Sequence, residues 1–568
     1  MSYSGKIDPD MAFVPTGTLM FAELIKLLEN DESVKPTRRR DMISGLRRVA
    51  KALGLPPQDV PCHGRWLQPR VAKIAPAALK LSTKAWQNAI SDARAAMVHA
   101  GIVERRINRV TDLSPAWRAL WVNLLASAQS KTLQPSLCRF VHFLNNKGVS
   151  PDQVSADHAL AYHEALIRNE ISKSPEVAYR AAVNGWNLAM RSLPAWPQIP
   201  LPLEQRQVVI KMPETVFPSG FIEDVDQLMA RFSTPDPLGE DERARALRPV
   251  SIAQYRRQLM RFASDVVQSG VPIEQIISLD ALLHPDIVER GLRQMLSRNA
   301  NKSSRMIAEV ASRLRHFGRI TNQPELTQAN LDRLARRLAV LPQKGMTPKN
   351  RSRLRVLQND QSMQRLLNFP ARLFASPPKG KSNPYMQALA REDALATAIL
   401  LVCPVRIKNL AGIHIEQHIQ RPGDGRAYLV MTDDEVKNDR PLEFELPKEL
   451  VRMIDQHLAT RSPDMCPSGT PWLFPRRDGQ GSVLPCQLAS RIAKRVRKET
   501  GFVVNAHLFR HLAVMNWLDA NPGSYEVARR LLGHSEVSRT ISLYSGLEVK
   551  SATRAFADLI ESKKGRGK

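Results

Sequence analysis

The sequence predicts a mainly α-helical protein with a small β-sheet in its C-terminal domain. Apolar residues recur at helical spacing through the first 340 residues, beside exposed Arg and Lys. Short alternating segments typical of strands lie near residues 413–419, 427–432 and 442–446, and helical spacing returns after them. With 568 residues at roughly 150 per domain, we expect several domains instead of one core.

Three segments share one pattern, in which a basic amphipathic helix ends at a glycine and a short polar turn follows. The glycines are Gly54, Gly148 and Gly270, and glycine is favoured where a helix ends in a left-handed residue. The helices before them are predicted over 39–53, 136–147 and 251–269, and the helices after them over 83–100, 176–190 and 303–317. The repetition predicts three small helical modules of related design; the alternative is chance similarity between helical bundles.

The charge balance indicates a polyanionic partner. Lys and Arg total 82 against 55 Asp and Glu, which gives a net charge of +27 and a pI near 10.2. Nucleic acid is the commonest such partner, because basic side chains release counterions from its phosphates. The alternative, simple solubilisation, does not call for so large an excess of one sign.

Several classes of protein are disfavoured by composition. A hydrophobic fraction of 43% excludes wholesale disorder. Residues 394–405, the most apolar stretch, are too short to span a bilayer and are expected to form a buried helix. No signal-peptide core precedes the first module, so we expect a cytoplasmic protein associated with the nucleoid. The five cysteines are scattered without metal-ligand spacing, which predicts reduced thiols and no zinc site.

The domain boundaries follow from these patterns. Pro213, Pro218, Pro235 and Pro237 accompany an acidic patch at 240–242, which indicates a linker or a covering arm. A basic, proline-containing connection at 341–353 is expected to cross DNA between two domains. The predicted division is a helical module at 1–112, a second at 113–202, a linker or arm at 203–245, a third helical domain at 246–340, a C-terminal domain at 350–562 and a basic tail at 563–568.

The candidate chemistry lies in the C-terminal domain. His507 and Arg510 are three residues apart, which places both side chains on one helical face, where they can address one phosphate. His534 follows after 24 residues, and Tyr544 ten residues after that. Upstream candidates complete an ordered set with the side chains that phosphodiester transesterification without a metal requires: Arg406, Lys437, His507, Arg510, His534 and Tyr544.

This ordered set resembles the tyrosine recombinase family, which includes phage integrases, chromosome-dimer resolvases and integrases of mobile elements. The resemblance covers about 354–560, and more loosely 249–321. It implies helical SAM-like core-binding modules followed by an α+β catalytic domain, with the first two modules as additions. Two departures stand out: Asn409 occupies a position where the family often has an acidic residue, and Tyr544 lies one residue further from His534 than in typical members.

The resemblance also implies a mechanism. Arg406 and Arg510 would neutralise the charge that builds on the phosphoryl oxygens, with His534 as a third donor. Tyr544 would attack and form a 3′-phosphotyrosine, with His507 accepting the phenol proton. Lys437 would protonate the departing 5′ oxygen. No cofactor, metal or ATP is expected.

The implied partners are double-stranded DNA recombination sites and a homotetramer assembled on them. Partner recombinases or accessory DNA-bending proteins are further candidates, no membrane contact is expected, and the likeness favours a mobile-element integrase. A helix over 550–560 would dock on a neighbouring subunit or fold onto its own domain. The alternative functions are DNA relaxation like that of type IB topoisomerases, and a non-catalytic DNA-binding protein with a recombinase fold.

Each site residue also has a structural interpretation. His507 and His511 could form a helical metal pair, although no further ligand spacing completes it, and His511 is interpreted as packing. Arg406 could cap a helix and Arg510 could form a surface salt bridge. Lys437 could form an exposed ion pair with Asp433, Asp434, Glu435 or Asp439, and Lys408 would be the catalytic lysine only in a shifted register. Tyr525 is a rival nucleophile, although it precedes the Gly533-His534 turn.

Overall fold

The computed structural model describes residues 13–106, 109–203, 210–234, 246–341, 345–377, 384–436, 440–544 and 549–565. The chain divides into two compact units, one formed by 1–203 with 344–568 and the other by 204–343. The secondary structure is mostly helical with one small sheet, as the sequence predicts. Within the described ranges, no helix is both long and apolar enough to cross a membrane.

The first helical module has its own hydrophobic core. Phe21, Trp66 and Trp86 are buried in it. A Cβ at Gly45 would lie 2.7 Å from the backbone nitrogen of Ala93, so the small residue lets two helices approach closely. The helices are α1 (Phe21–Glu29), α2 (Pro36–Leu53), α3 (Gly64–Val71) and α4 (Thr83–His99).

The second helical module packs around a group of tryptophans. Trp117, Trp186 and Trp196 are buried, and their ring centroids lie 5.2–6.4 Å apart in edge-on geometry. Such aromatic pairs stabilise a core beyond the area they bury. The helices are α5 (Pro115–Ala126), α6 (Ser130–Asn146), α7 (Ala156–Asn169) and α8 (Pro175–Ser192).

The glycine stops are confirmed as local structure. Gly54, Gly148 and Gly270 have φ angles of 72°, 71° and 95°, a region that side chains with a Cβ rarely adopt. A short 3-10 turn follows each of them, at Pro57–Asp59, Pro151–Gln153 and Ile273–Gln275. The repeated sequence pattern therefore corresponds to one repeated way of ending a helix.

The unit at 204–343 corrects one expectation. The sequence predicts a linker or a covering arm at 203–245, but this segment contains a helix with Phe221, Val225 and Leu228 buried in the core of the unit. The prolines were misleading because Pro218 directly precedes this helix, a position where proline is tolerated. The acidic patch at 240–242 lies outside the described residues. The helices are α9 (Ser219–Ser233), α10 (Pro249–Gln268), α11 (Leu279–Leu283), α12 (Pro285–Ser297), α13 (Arg305–Ile320) and α14 (Glu325–Leu338).

The C-terminal part of the chain surrounds the apolar helix that the sequence predicts near 394–405. Ala394, Leu395 and Leu400 on this helix are buried at the centre of the core. The helices here are α15 (Pro348–Leu357), α16 (Asp360–Ala375), α17 (Pro384–Val402), α18 (Ile407–Ala411), α19 (Ile415–His418), α20 (Lys448–Ala459), α21 (Pro485–Thr500), α22 (Ala506–Ala520), α23 (Tyr525–Leu532), α24 (Val537–Tyr544) and α25 (Val549–Gly565).

A small antiparallel sheet follows α19, with strand order β1 (Ile419–Gln420), β2 (Tyr428–Met431) and β3 (Leu442–Glu445). The second and third predicted strands are confirmed, but the strand expected over 413–419 is wrong for most of its length. Residues 415–418 form a helical turn because the His414 side chain accepts a hydrogen bond from the backbone N–H of Gln417 at 3.4 Å. Such a cap favours helix over strand.

Candidate active site

Helix α22 presents three basic side chains from its first turns. The Asn505 side chain caps its start by accepting a hydrogen bond from the Leu508 N–H at 2.8 Å. This cap fixes where the helix begins, and so fixes the face on which His507, Arg510 and His511 project. The predicted pairing of His507 with Arg510 on one helical face is therefore present.

Arg510 is buried and held by backbone carbonyls. Its guanidinium donates to the oxygen of Pro404 at 2.5 Å and to that of Leu532 at 2.6 Å, and the residue is 2% exposed. Burial, and then the nearby charge of Arg406, lowers its pKa to about 10, so it stays protonated at neutral pH. The structure excludes the surface salt bridge considered for Arg510, and the fork retains further N–H donors for a ligand.

Arg406 lies where the chain enters α18, two residues after Pro404. Its charge contributes to lowering the pKa of both Arg510 and His507. The positive charges of Arg406 and Arg510 repel each other. An anion placed between them would relieve that repulsion.

Tyr544 ends α24 with its ring inside the domain. The side chain is 2% exposed, and its Oη lies 2.8 Å from Nδ1 of His511. Burial raises the pKa of the phenol, while the charge of Arg510 opposes that rise. The hydroxyl is therefore protonated at rest and within the field of an arginine.

His511 joins this cluster, although the sequence suggested packing. It is 5% exposed, its ring contacts Tyr544 edge-on with centroids 5.4 Å apart, and it meets His507 at 4.8 Å. Burial lowers its pKa to about 4, helped by the charges of His507, Arg510 and His534. Only its spacing of four from His507 hinted at this position.

His507 lies at the exposed edge of the same group. Its pKa is lowered, first by desolvation and then by the charges of Arg510 and Arg406. Among the described residues, no group of three or more His, Cys, Asp or Glu side chains could hold a metal ion. The His507–His511 pair therefore has no third ligand within that part of the chain.

His534 is positioned by a glycine turn and a hydroxyl. Gly533 has a φ of 58° and turns the chain out of α23. The imidazole Nδ1 lies 2.9 Å from Oγ1 of Thr540, while the backbone carbonyl of His534 accepts from Arg529 at 2.9 Å. The contact with Thr540 orients the imidazole of this buried residue, and the bond from Arg529 holds its backbone.

The residues of this site lie in a segment that matches a known protein family. Residues 355–550, which contain all six sequence candidates, match the phage integrase family. This segment is a phage integrase domain. The match lies within the part of the chain for which the sequence predicts a tyrosine recombinase catalytic domain.

Solved structures similar to the chain are recombinases of low sequence identity. XerA recombinase is 15% identical, with 58% of this chain and 98% of that chain covered and a TM-score of 0.27. XerH recombinase bound to palindromic difH substrate is 11% identical, with 58% of this chain and 93% of that chain covered and a TM-score of 0.34. The Tn1549 transposon integrase in complex with transposon right end DNA is 14% identical, with 58% of this chain and 99% of that chain covered and a TM-score of 0.35. No curated protein matches the chain; the assignment rests on the family match.

Lys437 of the integrase domain lies outside the described residues, but the turn before it is anchored. Glu435 contacts His418 Nε2 at 2.8 Å and accepts from the Thr432 N–H at 3.1 Å. The Asn409 amide donates to the backbone oxygen of Glu435 at 3.3 Å. Glu435, one of the acidic residues considered as a partner for Lys437, therefore already has other partners.

The integrase domain thus brings five of the six sequence candidates into one region: Arg406, His507, Arg510, His534 and Tyr544. Their catalytic roles, and that of Lys437, stay predictions. The sequence predicts packing for His511 and a proton acceptor at His507, whereas the structure places Nδ1 of His511 2.8 Å from the Tyr544 hydroxyl.

Proposed function

We propose that this protein binds specific double-stranded DNA sites, and cuts and rejoins their strands through a 3′-phosphotyrosine on Tyr544, without a metal or ATP. One observation carries the proposal. The Tyr544 hydroxyl lies within a buried group of basic side chains, 2.8 Å from His511 and near the charge of Arg510, inside the phage integrase domain.

The charges suit a phosphoryl transition state, in which negative charge spreads over the non-bridging oxygens. Arg406 and Arg510 are the two guanidinium groups of the cluster, and each would bind these oxygens with a rigid set of donors. Fixed donors need no reorganisation during the reaction, and the two carbonyl bonds of Arg510 fix it. His534, held by Thr540, would add a donor.

Proton transfers complete the reaction. Burial raises the pKa of the Tyr544 phenol, so attack at neutral pH requires a histidine to accept its proton. His507 is the acceptor that the family resemblance implies. Lys437 would protonate the departing 5′ oxygen. The phosphotyrosine retains the ester energy, so a 5′ hydroxyl from another strand can reseal the DNA without ATP.

We further propose that four copies assemble on DNA. The net charge of +27 favours an extended DNA footprint, with the helical modules touching the backbone beyond the cleavage site. On α25, Phe556 and Leu559 are 62% and 48% exposed, which supports docking of this helix on a neighbouring subunit. Partner recombinases, DNA-bending proteins, a mobile-element origin and a nucleoid location belong to the same proposal.

The test is covalent trapping on a nicked duplex. Its sequence is first selected by the protein from random-sequence DNA. Wild type and Tyr525→Phe, a matched tyrosine control, are expected to give a protein–DNA adduct on a denaturing gel, and Tyr544→Phe to give none. Binding without an adduct would favour a non-catalytic DNA-binding protein. An adduct accompanied by relaxation of supercoiled plasmid, without strand exchange, would favour a topoisomerase.

A further inference from the structure

The hydrogen bond on the nucleophile does not involve the histidine that the family resemblance implies. The Tyr544 Oη lies 2.8 Å from Nδ1 of His511, and both side chains are buried. We propose that His511, and not His507, accepts the Tyr544 proton during cleavage and returns it during rejoining. The inference rests on the proposed phosphotyrosine reaction and names a residue in it.

The protonation state of His511 suits an acceptor. Burial and three basic neighbours lower its pKa to about 4, so the ring is neutral at physiological pH. The phenol carries its own proton, since burial raises its pKa. A neutral imidazole whose hydrogen is on Nε2 presents a lone pair at Nδ1. In that tautomer the phenol O–H donates to the lone pair, along the path that the proton would take.

His507 lies in a different place. Its side chain is exposed at the first turn of α22, and its ring meets His511 edge-on at 4.8 Å. Within the described ranges, no hydrogen bond joins His507 to Tyr544. Its position at the open edge, near both Arg406 and Arg510, suits a donor to a phosphate oxygen. In this proposal His507 contacts the phosphate, and His511 accepts the proton of the nucleophile.

Substrate binding would strengthen the acceptor. The charges of Arg510, His507 and His534 lower the proton affinity of His511. A phosphate bound at this cluster would offset those charges, so the imidazole would become more basic only when DNA is in place. Proton transfer would then accompany attack, instead of preceding it.

The step balances as follows. Tyr544 Oη forms a bond to phosphorus as its proton passes to Nδ1 of His511. The bond from phosphorus to the 5′ oxygen breaks, and that oxygen takes a proton from a separate acid, Lys437 in the proposed function. In rejoining, the 5′ hydroxyl gives its proton to Lys437, and His511 protonates Tyr544 as it leaves.

The experiment compares His511→Asn, His511→Phe and His507→Asn in the full-length protein on the nicked duplex. Asparagine can keep an acceptor oxygen near the place of Nδ1 but cannot take up a proton. Both His511 variants are expected to bind DNA as tightly as wild type and to form adduct at least about a hundredfold more slowly, the usual minimum for losing a general base. His507→Asn should lose less than His511→Asn.

A second measurement separates proton transfer from packing. Replacing Tyr544 by 3,5-difluorotyrosine makes the phenol more acidic, and it should restore much of the lost rate in His511→Asn. A purely structural defect would not be rescued in this way. Because His511→Phe places a bulkier side chain at a buried position, the conclusion rests on His511→Asn with the rescue.

Three outcomes would overturn the inference. One is a wild-type rate for His511→Asn together with a large loss for His507→Asn, which would return the role to His507. Another is a loss in His511→Asn that the difluorotyrosine does not rescue. In these two outcomes the wild type still forms a Tyr544-dependent adduct, so the proposed function would stand. The third is a wild type without any Tyr544-dependent adduct, which removes the proposed function and this inference together.

Discussion

Arg510 donates a hydrogen bond of 2.6 Å to the backbone carbonyl of Leu532, and this bond ties α22 to the turn that carries His534. Its second bond, to the carbonyl of Pro404 at 2.5 Å, ties the same helix to the segment that carries Arg406. One buried guanidinium therefore holds together three separate parts of the site. Its structural and chemical contributions are linked.

Arg510→Lys should damage stability and catalysis together. An ammonium group lacks the planar fork and cannot replace both bonds, and each buried carbonyl left unpaired costs about 1–3 kcal/mol. Losing one preorganised donor to the phosphate should slow adduct formation about a hundredfold or more. Denaturant unfolding and single-turnover trapping measure the two effects.

Arg530→Lys provides the matched control for this change. Arg530 is exposed and pairs with Glu526 at 3.0 Å, so this variant should change the free energy of unfolding by less than about 0.5 kcal/mol and leave trapping unaffected. Wild-type stability and rate in Arg510→Lys would show that the fork is not required.

Thr540→Val should slow cleavage by disordering His534. The substitution keeps the shape of the side chain and removes the hydroxyl that lies 2.9 Å from His534 Nδ1. Losing one such bond costs about 1 kcal/mol, which corresponds to roughly a fivefold slower adduct formation if the whole loss falls on the transition state. Single-turnover trapping at saturating protein gives the rate.

Thr397→Val separates this effect from simple loss of stability. Thr397 is also buried and donates to the backbone oxygen of Asp393 at 2.7 Å, but it lies in α17. Both variants should lose similar stability, and only Thr540→Val should slow trapping. Equal rates in the two variants would mean that Thr540 does not orient a participating group.

Local features of the fold could be predicted from sequence, while the contacts that complete the site could not. The stops at Gly54, Gly148 and Gly270 are set by backbone sterics at single positions. The spacing of His507 and Arg510 is likewise local. The bond from His511 to Tyr544 spans 33 residues, and helical spacing says only which face a side chain occupies.

Two errors have the same origin. Prolines near 213–218 predict a linker or a covering arm, yet one of them precedes α9 and the helix buries Phe221. Alternation near 413–419 suggested a strand, but the side chain of His414 caps a helical turn. In both cases the residue directly before the segment begins a helix, and the local sequence pattern alone does not show this.

His457 should make the integrase domain less stable in acid. Burial, and then the charge of Arg461, lowers its pKa to about 4 from 6.5. Between these pH values the unfolded chain binds a proton that the folded chain does not. The contribution of His457 to the free energy of unfolding is therefore complete above about pH 6.5 and is lost as the pH falls toward 4. The free energy of unfolding changes by about 1.4 kcal/mol per pH unit in this range, or roughly 3 kcal/mol over the whole range.

His457→Gln should flatten this dependence. Denaturant unfolding near pH 7 and near pH 5 gives the difference for each variant. His284→Gln is the control, since that histidine is exposed, and it should keep the acid sensitivity of wild type. An unchanged dependence in His457→Gln would assign the acid sensitivity to other groups, of which His511 is the first candidate.

Gly533→Ala should disturb the site more than an equivalent change elsewhere. Gly533 has a φ of 58°, and a Cβ there would lie 2.9 Å from Cδ2 of Leu442 in β3. Gly523 has a φ of 82° with nothing within 4 Å of an added Cβ. Both alanines should bear the strain of a left-handed residue, about 1–2 kcal/mol, and only Gly533→Ala should add a clash.

Because Leu442 is buried, its side chain cannot move away freely, and the turn that carries His534 should shift instead. Gly533→Ala should therefore slow adduct formation, and Gly523→Ala should not. Leu442→Ala removes the clashing methyl group, so the double variant should be more stable than the sum of the single losses, measured as a double-mutant cycle. Strict additivity would mean that the clash is absent and that Gly533 serves only the backbone conformation of the turn.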